Sequence, residues 1–588
     1  MCGIAGQLVF PRADPAAARR MGEALSHRGP DGDGFADLGP LALSHRRLSI
    51  IDLEGGAQPM RHGKLCISFN GEIYNYRELR AELRGLGREF RTASDTEVIL
   101  QGYEEYGEAV LPKLRGMFAF ALWDGAQLLL ARDAFGEKPL VYAQHEGKLW
   151  FASEPQALKA GGAPLGGIDR AALSDYLELL YVPAPASIWS GVRKLPAGCL
   201  MVCGEKGVSV RRWFTPPAPG SGAKKPSRIA VRARLEEAVQ LRLRSDVPVA
   251  ALLSGGIDSS AVVALMTRAA GRVRTFSVGF GEADDELPFA RKIAQRFRTD
   301  HREIVVSPRA AEDTQAALLA CGEPFGDSSI VPTLAVFREV ARSGCKVVLT
   351  GDGGDELFAG YDKYRRIRSL PHSRRAARAA ELLGKVWRPG KRAAQALGSR
   401  GAERARALIE VFSLEERRLL LHGAAQTARH AEAAPRSDVD DALAFDLAVY
   451  LPDDLLYKVD TASMRFGVES RAPLLDVPLA EVVVPPPYKH KLGRTQGKKL
   501  FRSAVSDLLP RDILSRPKRG FGSPVGAWLR GPLRPLLEDL VRTPSARIRT
   551  VLDPRGVDAI LASSLAPRGN PHQAWALLAL ELWSRGSR

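Results

Sequence analysis

The rhythm of apolar and polar positions changes once along the chain, near residue 215. Before that point, short apolar runs at 65–69, 116–123, 127–131 and 148–152 are punctuated by Gly, Asp and Asn, as strands closed by turns are. Helical periodicity covers 16–25 and 76–86. Many strands with few helices predict a layered α+β domain. After residue 228 the pattern alternates: strand 247–253, helix 259–270, strand 274–280, helix 288–297, strand 303–306, helices through 311–342, strand 346–350. This alternation predicts an α/β domain built on a parallel, doubly wound sheet. Ligands of such sheets sit at the carboxyl ends of the strands, and two Gly-rich loops fall there. Beyond Tyr361 the pattern turns mainly helical. Residues 215–228, rich in Pro, Gly and Ser, read as a linker between a first domain at 2–214 and a second at 229–588.

Composition narrows the class. A chain of 588 residues is too long for one hydrophobic core. An apolar fraction of 45% and a charged fraction of 26% are those of a soluble globular protein. No apolar run reaches the roughly 18 residues of a membrane helix, and the first residues lack the basic, apolar build of a signal peptide. The expected setting is the cytoplasm, with no membrane partner. Six cysteines do not make a disulfide framework, and Cys199 and Cys203 lack the second pair a zinc site needs. The net charge of +17 is concentrated between Tyr361 and Glu410, where 14 Lys/Arg face 4 Asp/Glu. Without aromatic interleaving, that stretch reads as a solvated helical insertion, and no nucleic-acid partner is expected.

Chemistry enters at the second residue. Removal of Met1 would leave Cys2 with a free α-amino group, whose ordinary pKa of about 8 lets it serve as the base for its own thiol. Asn70-Gly71 follows an apolar strand. Its carboxamide and backbone N–H could form an oxyanion hole, or the pair could be a hairpin turn. Five segments then resemble the glutaminase domain of class II glutamine amidotransferases: residues 2–6, 26–31, 45–52, 70–75 and 94–97. That family consists of N-terminal nucleophile hydrolases with an α/β/β/α sandwich. The resemblance implies Cys2 as nucleophile, Asn70 and Gly71 as oxyanion hole, Arg47 on the glutamine α-carboxylate, and Asp95 with Glu72 on its α-ammonium.

Two loops in the second half carry the other chemistry. Ser254-Gly255-Gly256-Ile257-Asp258-Ser259-Ser260 joins a strand to a helix, where backbone N–H groups and the helix terminus favour an anion. The Walker ending Gly-Lys-Ser/Thr is absent. The loop resembles the pyrophosphate loop of ATP pyrophosphatases, which release AMP and pyrophosphate. A second loop, Thr350-Gly351-Asp352-Gly353-Gly354-Asp355-Glu356, resembles the nucleotide loop of the asparagine synthetase family. The resemblance implies ATP contacts from Thr350 and Gly351, and from the backbone at Val278. It gives Asp352 a position often held by Glu and linked to adenylate formation or ammonia deprotonation. Lys458 would stabilise charge on the α-phosphate and pyrophosphate. Glu469 and Arg471 would either shape the acceptor pocket or form a structural ion pair. Asp258 and Asp355 are the candidate Mg²⁺ ligands, and residues 510–524 also match the family.

The activity so implied has two parts. Glutamine is hydrolysed to glutamate and ammonia, and ATP activates an acceptor carboxylate as an acyl-adenylate that ammonia then displaces. The expected partners are glutamine, ATP with Mg²⁺, and aspartate or a related carboxylate; a peptide, polysaccharide or secondary-metabolite acid is the alternative acceptor. The oligomeric state stays open, with a homodimer the candidate assembly.

Overall fold

A computed structural model describes residues 2–222, 224–279, 286–305, 310–370, 373, 394–423, 437–517 and 523–586. The expected strand ends at Phe280 and Val306, part of the basic stretch after Tyr361, and residues 518–522 lie outside the described residues.

Twelve strands build the first half: β1 (Gly3–Leu8), β2 (Gly32–Asp37), β3 (Leu41–Arg47), β4 (Met60–His62), β5 (Leu65–Ile73), β6 (Gly116–Trp123), β7 (Leu128–Arg132), β8 (Val141–His145), β9 (Lys148–Ala152), β10 (Val192–Lys194), β11 (Cys199–Gly204) and β12 (Gly207–Arg212). They form two six-stranded sheets, ordered β10-β8-β9-β1-β3-β2 and β12-β11-β7-β6-β5-β4, with neighbouring strands antiparallel. The two-residue period of a strand sorts the layers. In β6, Ala119, Ala121 and Trp123 meet Ile4, Leu41 and Leu43 of the other sheet. Phe118, Phe120 and Leu122 face the opposite way, onto Leu79, Leu83, Val98 and Ile99 of helices Tyr76–Gly85 and Asp95–Tyr106. On the far side, Met21 and Leu158 of helices Pro15–Glu23 and Pro155–Ala160 cover Ala5, Trp150 and Ala152. The result is the expected α/β/β/α sandwich.

The second half holds a five-stranded parallel sheet, β15-β14-β13-β16-β17, from β13 (Val249–Leu252), β14 (Arg274–Gly279), β15 (Asp300–Val305), β16 (Val347–Leu349) and β17 (Glu469–Arg471). Helices Ile257–Ala270 and Leu287–Phe297 follow β13 and β14 as the alternation requires. The helical stretch expected over 311–342 is two helices, Ala310–Ala320 and Ile330–Arg342; the segment between them carries Asp327. β17 falls in the region read as mainly helical. No helix among the described residues is long and apolar enough to cross a membrane.

The two halves are keyed together. Asp133 accepts four backbone amides, from Phe118, Phe135, Glu137 and Lys138 at 2.9–3.2 Å. This stiffens a loop that carries Ala134 and Phe135 into the core of the second half, beside Leu253, Leu349 and Leu474. Arg28, fully buried, donates to Asp460 at 2.9 and 3.2 Å and to Glu154 at 2.6 Å. Lys138 approaches Asp460 at 3.5 Å. Helix Arg170–Leu179 also crosses over, its Tyr176 hydroxyl donating to the Ala576 carbonyl at 2.8 Å.

Removing one partner of a buried ion pair strands the other charge. Asp460→Ala should therefore cost roughly 3–5 kcal/mol of stability. The check is a lowered denaturation midpoint; an unchanged midpoint would show that Arg28 is satisfied without it.

Candidate active sites

The first site forms where β1 and β5 lie in adjacent layers. Cys2, 6% exposed, immediately precedes β1. Its backbone N–H donates to Asn70 Oδ1 at 2.9 Å, and its carbonyl accepts Arg28 Nε at 3.2 Å. Asn70 is fully buried and its Nδ2 has no hydrogen-bond partner among the described residues. One end of the carboxamide is thus anchored on the Cys2 backbone, and the other is an unspent donor among the described residues. Asn70-Gly71 is no hairpin turn, since β5 runs through it to Ile73 with Gly71 opposite Phe118. A Cβ at Gly71 would stand 2.1 Å from the Met117 carbonyl, which is why a glycine is needed there.

Burial pushes the Cys2 thiol above its ordinary value. A thiol so disfavoured as thiolate needs a base beside it. His45 is no such base: burial first, then Arg47, push its imidazole down to about 3, and its Nδ1 pairs with Ser68 Oγ at 3.0 Å.

Arg47 is held by two carbonyls, those of Asp52 at 2.6 Å and Leu53 at 2.9 Å. Asp95 opens helix Asp95–Tyr106 and accepts the Ile73 amide at 2.9 Å. Burial pushes its carboxyl up to about 6, against that amide. Glu72 is driven well above the ordinary carboxylate range by burial, Glu469 and Asp95, with Arg471 opposing.

The second site is a cavity of about 870 Å³ at the carboxyl ends of β13, β14 and β16. Ser254, Gly256, Asp258, Ser259, Val278, Thr350, Gly351, Asp352, Asp355 and Lys458 all line it. Ser254 Oγ and Ser259 Oγ lie 3.1 Å apart at the start of helix Ile257–Ala270, and Gly256 N–H donates to Ser254 Oγ at 3.3 Å. Two loop residues are off the lining. Gly255, at φ +69°, packs so close to the next helix that a Cβ would be 2.6 Å from Ala290 N, and Ser260 is fully buried. Asp352 accepts Thr350 Oγ1 at 2.7 Å.

Several lining residues were not anticipated. Lys498 reaches both candidate metal ligands, binding Asp258 and, at 2.7 Å, Asp355. Asp327 accepts Lys458 Nζ at 2.6 Å. Burial favours neutral Asp327, but Lys458 and the Ser329 donors outweigh it and hold the carboxyl below its usual range. Glu356 accepts the Tyr361 hydroxyl at 2.5 Å; burial and Asp355 push it up to about 7. Lys498 sits in the run Lys498-Lys499, which reads as surface charge.

Glu469 and Arg471 do not line this cavity. They occupy β17, both fully buried, with Arg471 Nε on Glu469 at 2.6 Å and Nη2 3.3 Å from Glu72 of the first half. Arg471 Nη1 also donates to the carbonyls of Arg242 and Arg244 at 2.8 and 2.6 Å. Of the two expectations, the placement favours the structural ion pair over the acceptor pocket, and the pair faces Glu72 of the first half.

Residues 230–585 match the family model for asparagine synthase, and residues 1–214 match that of a glutamine amidotransferase domain. The chain belongs to the asparagine synthase family. It is 37% identical to a putative glutamine-hydrolyzing asparagine synthetase of Mycobacterium tuberculosis (strain ATCC 25618 / H37Rv), over 90% of this chain and 88% of that protein. It is 31% identical to glutamine-hydrolyzing asparagine synthetase 1 of Bacillus subtilis (strain 168), over 99% of this chain and 96% of that protein. In this asparagine synthase chain the unspent Asn70 donor should act only on the amidotransferase side. Asn70→Ala should lower the glutaminase turnover about 10²–10³-fold while ammonia-supported activity persists, measured as glutamate release beside pyrophosphate release.

Proposed function

We propose that the chain is a glutamine-dependent asparagine synthetase whose nucleophile is Cys2 and whose adenylating centre is the cavity between the Ser254–Ser260 and Thr350–Glu356 loops. The observation that carries the reading is the Cys2–Asn70 arrangement: a buried thiol whose backbone anchors a carboxamide with one unspent N–H donor. The processed α-amine takes the thiol proton, and sulfur attacks the glutamine carboxamide. Asn70 Nδ2 and the Gly71 N–H take the developing oxyanion. Ammonia leaves, and water frees glutamate from the thioester. Arg47 holds the glutamine α-carboxylate, its fork suited to that planar anion. Asp95, aided by Glu72, receives the α-ammonium.

In the cavity the Ser254, Gly256 and Ser259 surface receives pyrophosphate, with the helix terminus behind it. Ser260 and Gly255 support that loop from behind. Thr350 and Gly351 hold the nucleotide, with adenine against the Val278 backbone. The aspartate carboxylate attacks the α-phosphorus and expels pyrophosphate, and Lys458 offsets the charge that develops. Ammonia then displaces AMP, with Asp352 poised by Thr350 to take its proton. Asp258 and Asp355 fit Mg²⁺, which uses one or two carboxylates together with phosphate oxygens. Among the described residues no cluster of three or more His, Cys, Asp or Glu could hold a metal alone. The ion would supply charge neutralisation on the phosphates, and Lys498 would yield part of its present hold on the two carboxylates.

Cys2→Ala should abolish glutamine-supported asparagine formation and leave synthesis from added ammonium at its original rate; loss of both would contradict two separable sites. Asp95 must be ionised to receive an ammonium, and its raised value of about 6 means it gains a proton as pH falls through 6. The kcat/KM for glutamine should therefore fall below pH 6, and Asp95→Asn should flatten that limb while lowering the plateau.

A further inference from the structure

No step above uses the carboxyl of Glu137. The residue is buried on the loop between β7 and β8, the loop that enters the second half. Its neighbours there are engaged: Asp133 binds the loop's own backbone amides, and Lys138 approaches Asp460 at 3.5 Å. The Glu137 side chain forms no ion pair among the described residues, and its Oε1 is buried there without a hydrogen-bond partner. A bare buried oxygen is costly to keep, so its presence in a folded protein calls for a use.

Groups from both sites surround it. On the glutamine side, Tyr74 directly follows β5, and its hydroxyl too is buried without a partner among the described residues. Tyr74 packs with Met117 of the first half and with Leu241 and Met464 of the second, a small apolar cluster across the joint. The Arg242 guanidinium stands 4.5 Å from the centre of the Tyr74 ring and binds Asp476 at 3.1 Å. On the nucleotide side, Asp352 lies close enough for its charge to act on Glu137. Burial first, then Asp133, push the Glu137 carboxyl up to about 8; Arg242 and Lys138 oppose the rise, and Asp352 adds to it. A carboxyl that keeps its proton donates through its hydroxyl and accepts through its carbonyl. Ammonia offers the complement, one lone pair and three N–H bonds. Burial disfavours charge on either partner, so the two meet as a neutral hydrogen-bonded pair.

We propose that Glu137 holds the nitrogen in transit: ammonia released at Cys2 passes the Tyr74–Met117–Leu241–Met464 cluster, hydrogen-bonds to the unpartnered oxygen of Glu137, and goes on from there to Asp352 and the adenylate. The proposal rests on the amidation reading and deepens it. It names a residue, supplied by the first half to the second, that holds the nitrogen between the two centres.

The test uses the full chain with glutamine, ATP and aspartate and no added ammonium, reading glutamate and asparagine by mass spectrometry. In the unsubstituted protein the two should form one for one. Glu137→Leu should raise the glutamate released per asparagine about fivefold, the partition that one hydrogen bond is worth, as ammonia escapes before capture. Glu137→Gln should raise it by less, because an amide still hydrogen-bonds. It also keeps the shape of the side chain, and it decides the question if Glu137→Leu does not fold. In both variants the glutaminase rate, the KM for ATP and synthesis from saturating ammonium should be unchanged, which a general structural defect would not spare. A ratio far above one in the unsubstituted protein, a ratio that neither substitution moves, or an equal fall in synthesis from saturating ammonium would overturn the proposal. Failure of the unsubstituted protein to make asparagine from either nitrogen source would overturn the amidation reading, and the proposal with it.

Discussion

A guanidinium with no water around it organises this molecule. Arg471 is fully buried and must satisfy its donors inside the protein or be very costly to hold there. It finds Glu469 on its own strand, Glu72 in the other half of the chain, and the carbonyls of Arg242 and Arg244. Partners drawn from both halves mean that neither half can shift without stranding a charge. The same residue's carbonyl accepts the Thr350 amide at 2.9 Å. One side chain and its backbone thus touch a residue of the glutamine pocket and a residue of the nucleotide loop. Arg28, bound to Asp460 and Glu154 beside Cys2, repeats the arrangement a short way off.

This construction suits a protein that must pass ammonia between two centres. Ammonia is nucleophilic only while unprotonated, so its route should be dry and poor in unpaired acids. The interface pairs several of its ions, Arg28 with Asp460 and Glu154 and Arg471 with Glu469 and Glu72. Glu137, on the loop that enters the second half, is pushed up to about 8, chiefly by burial and then by Asp133. The ion pairs that hold the halves together also border both sites: Arg28 donates to the Cys2 carbonyl, and the Arg471 carbonyl accepts the Thr350 amide.

Much of this was legible in the chain. The apolar run 116–123 marks β6, and the strand–helix alternation after residue 228 marks the parallel sheet. The cavity-lining residues of both Gly-rich loops were readable because glycine, serine and carboxylate at strand ends have few structural uses. Asn70 was expected beside Cys2, and its carboxamide accepts the Cys2 amide although the strand runs on through it. What was illegible has one physical cause: ionisable residues inside a core carry no apolar signal. β17 is three residues, Glu-Ser-Arg, and reads as surface. Glu469 and Arg471 were accordingly left open between an acceptor pocket and a structural ion pair, and only their burial and partners place them at the joint. Lys498 and Asp327 were hidden in the same way, since only the fold shows what charge each one faces.

The central claim is that nitrogen freed at Cys2 is the nitrogen captured at the adenylating centre. Offering the protein amide-¹⁵N glutamine, ATP and aspartate in a large excess of unlabelled ammonium, at a pH where little of it is free ammonia, tests this directly. The account predicts asparagine carrying mostly ¹⁵N, formed one for one with AMP. Product whose label matches the bulk ammonium pool, or glutamate release with no AMP formed, would contradict it.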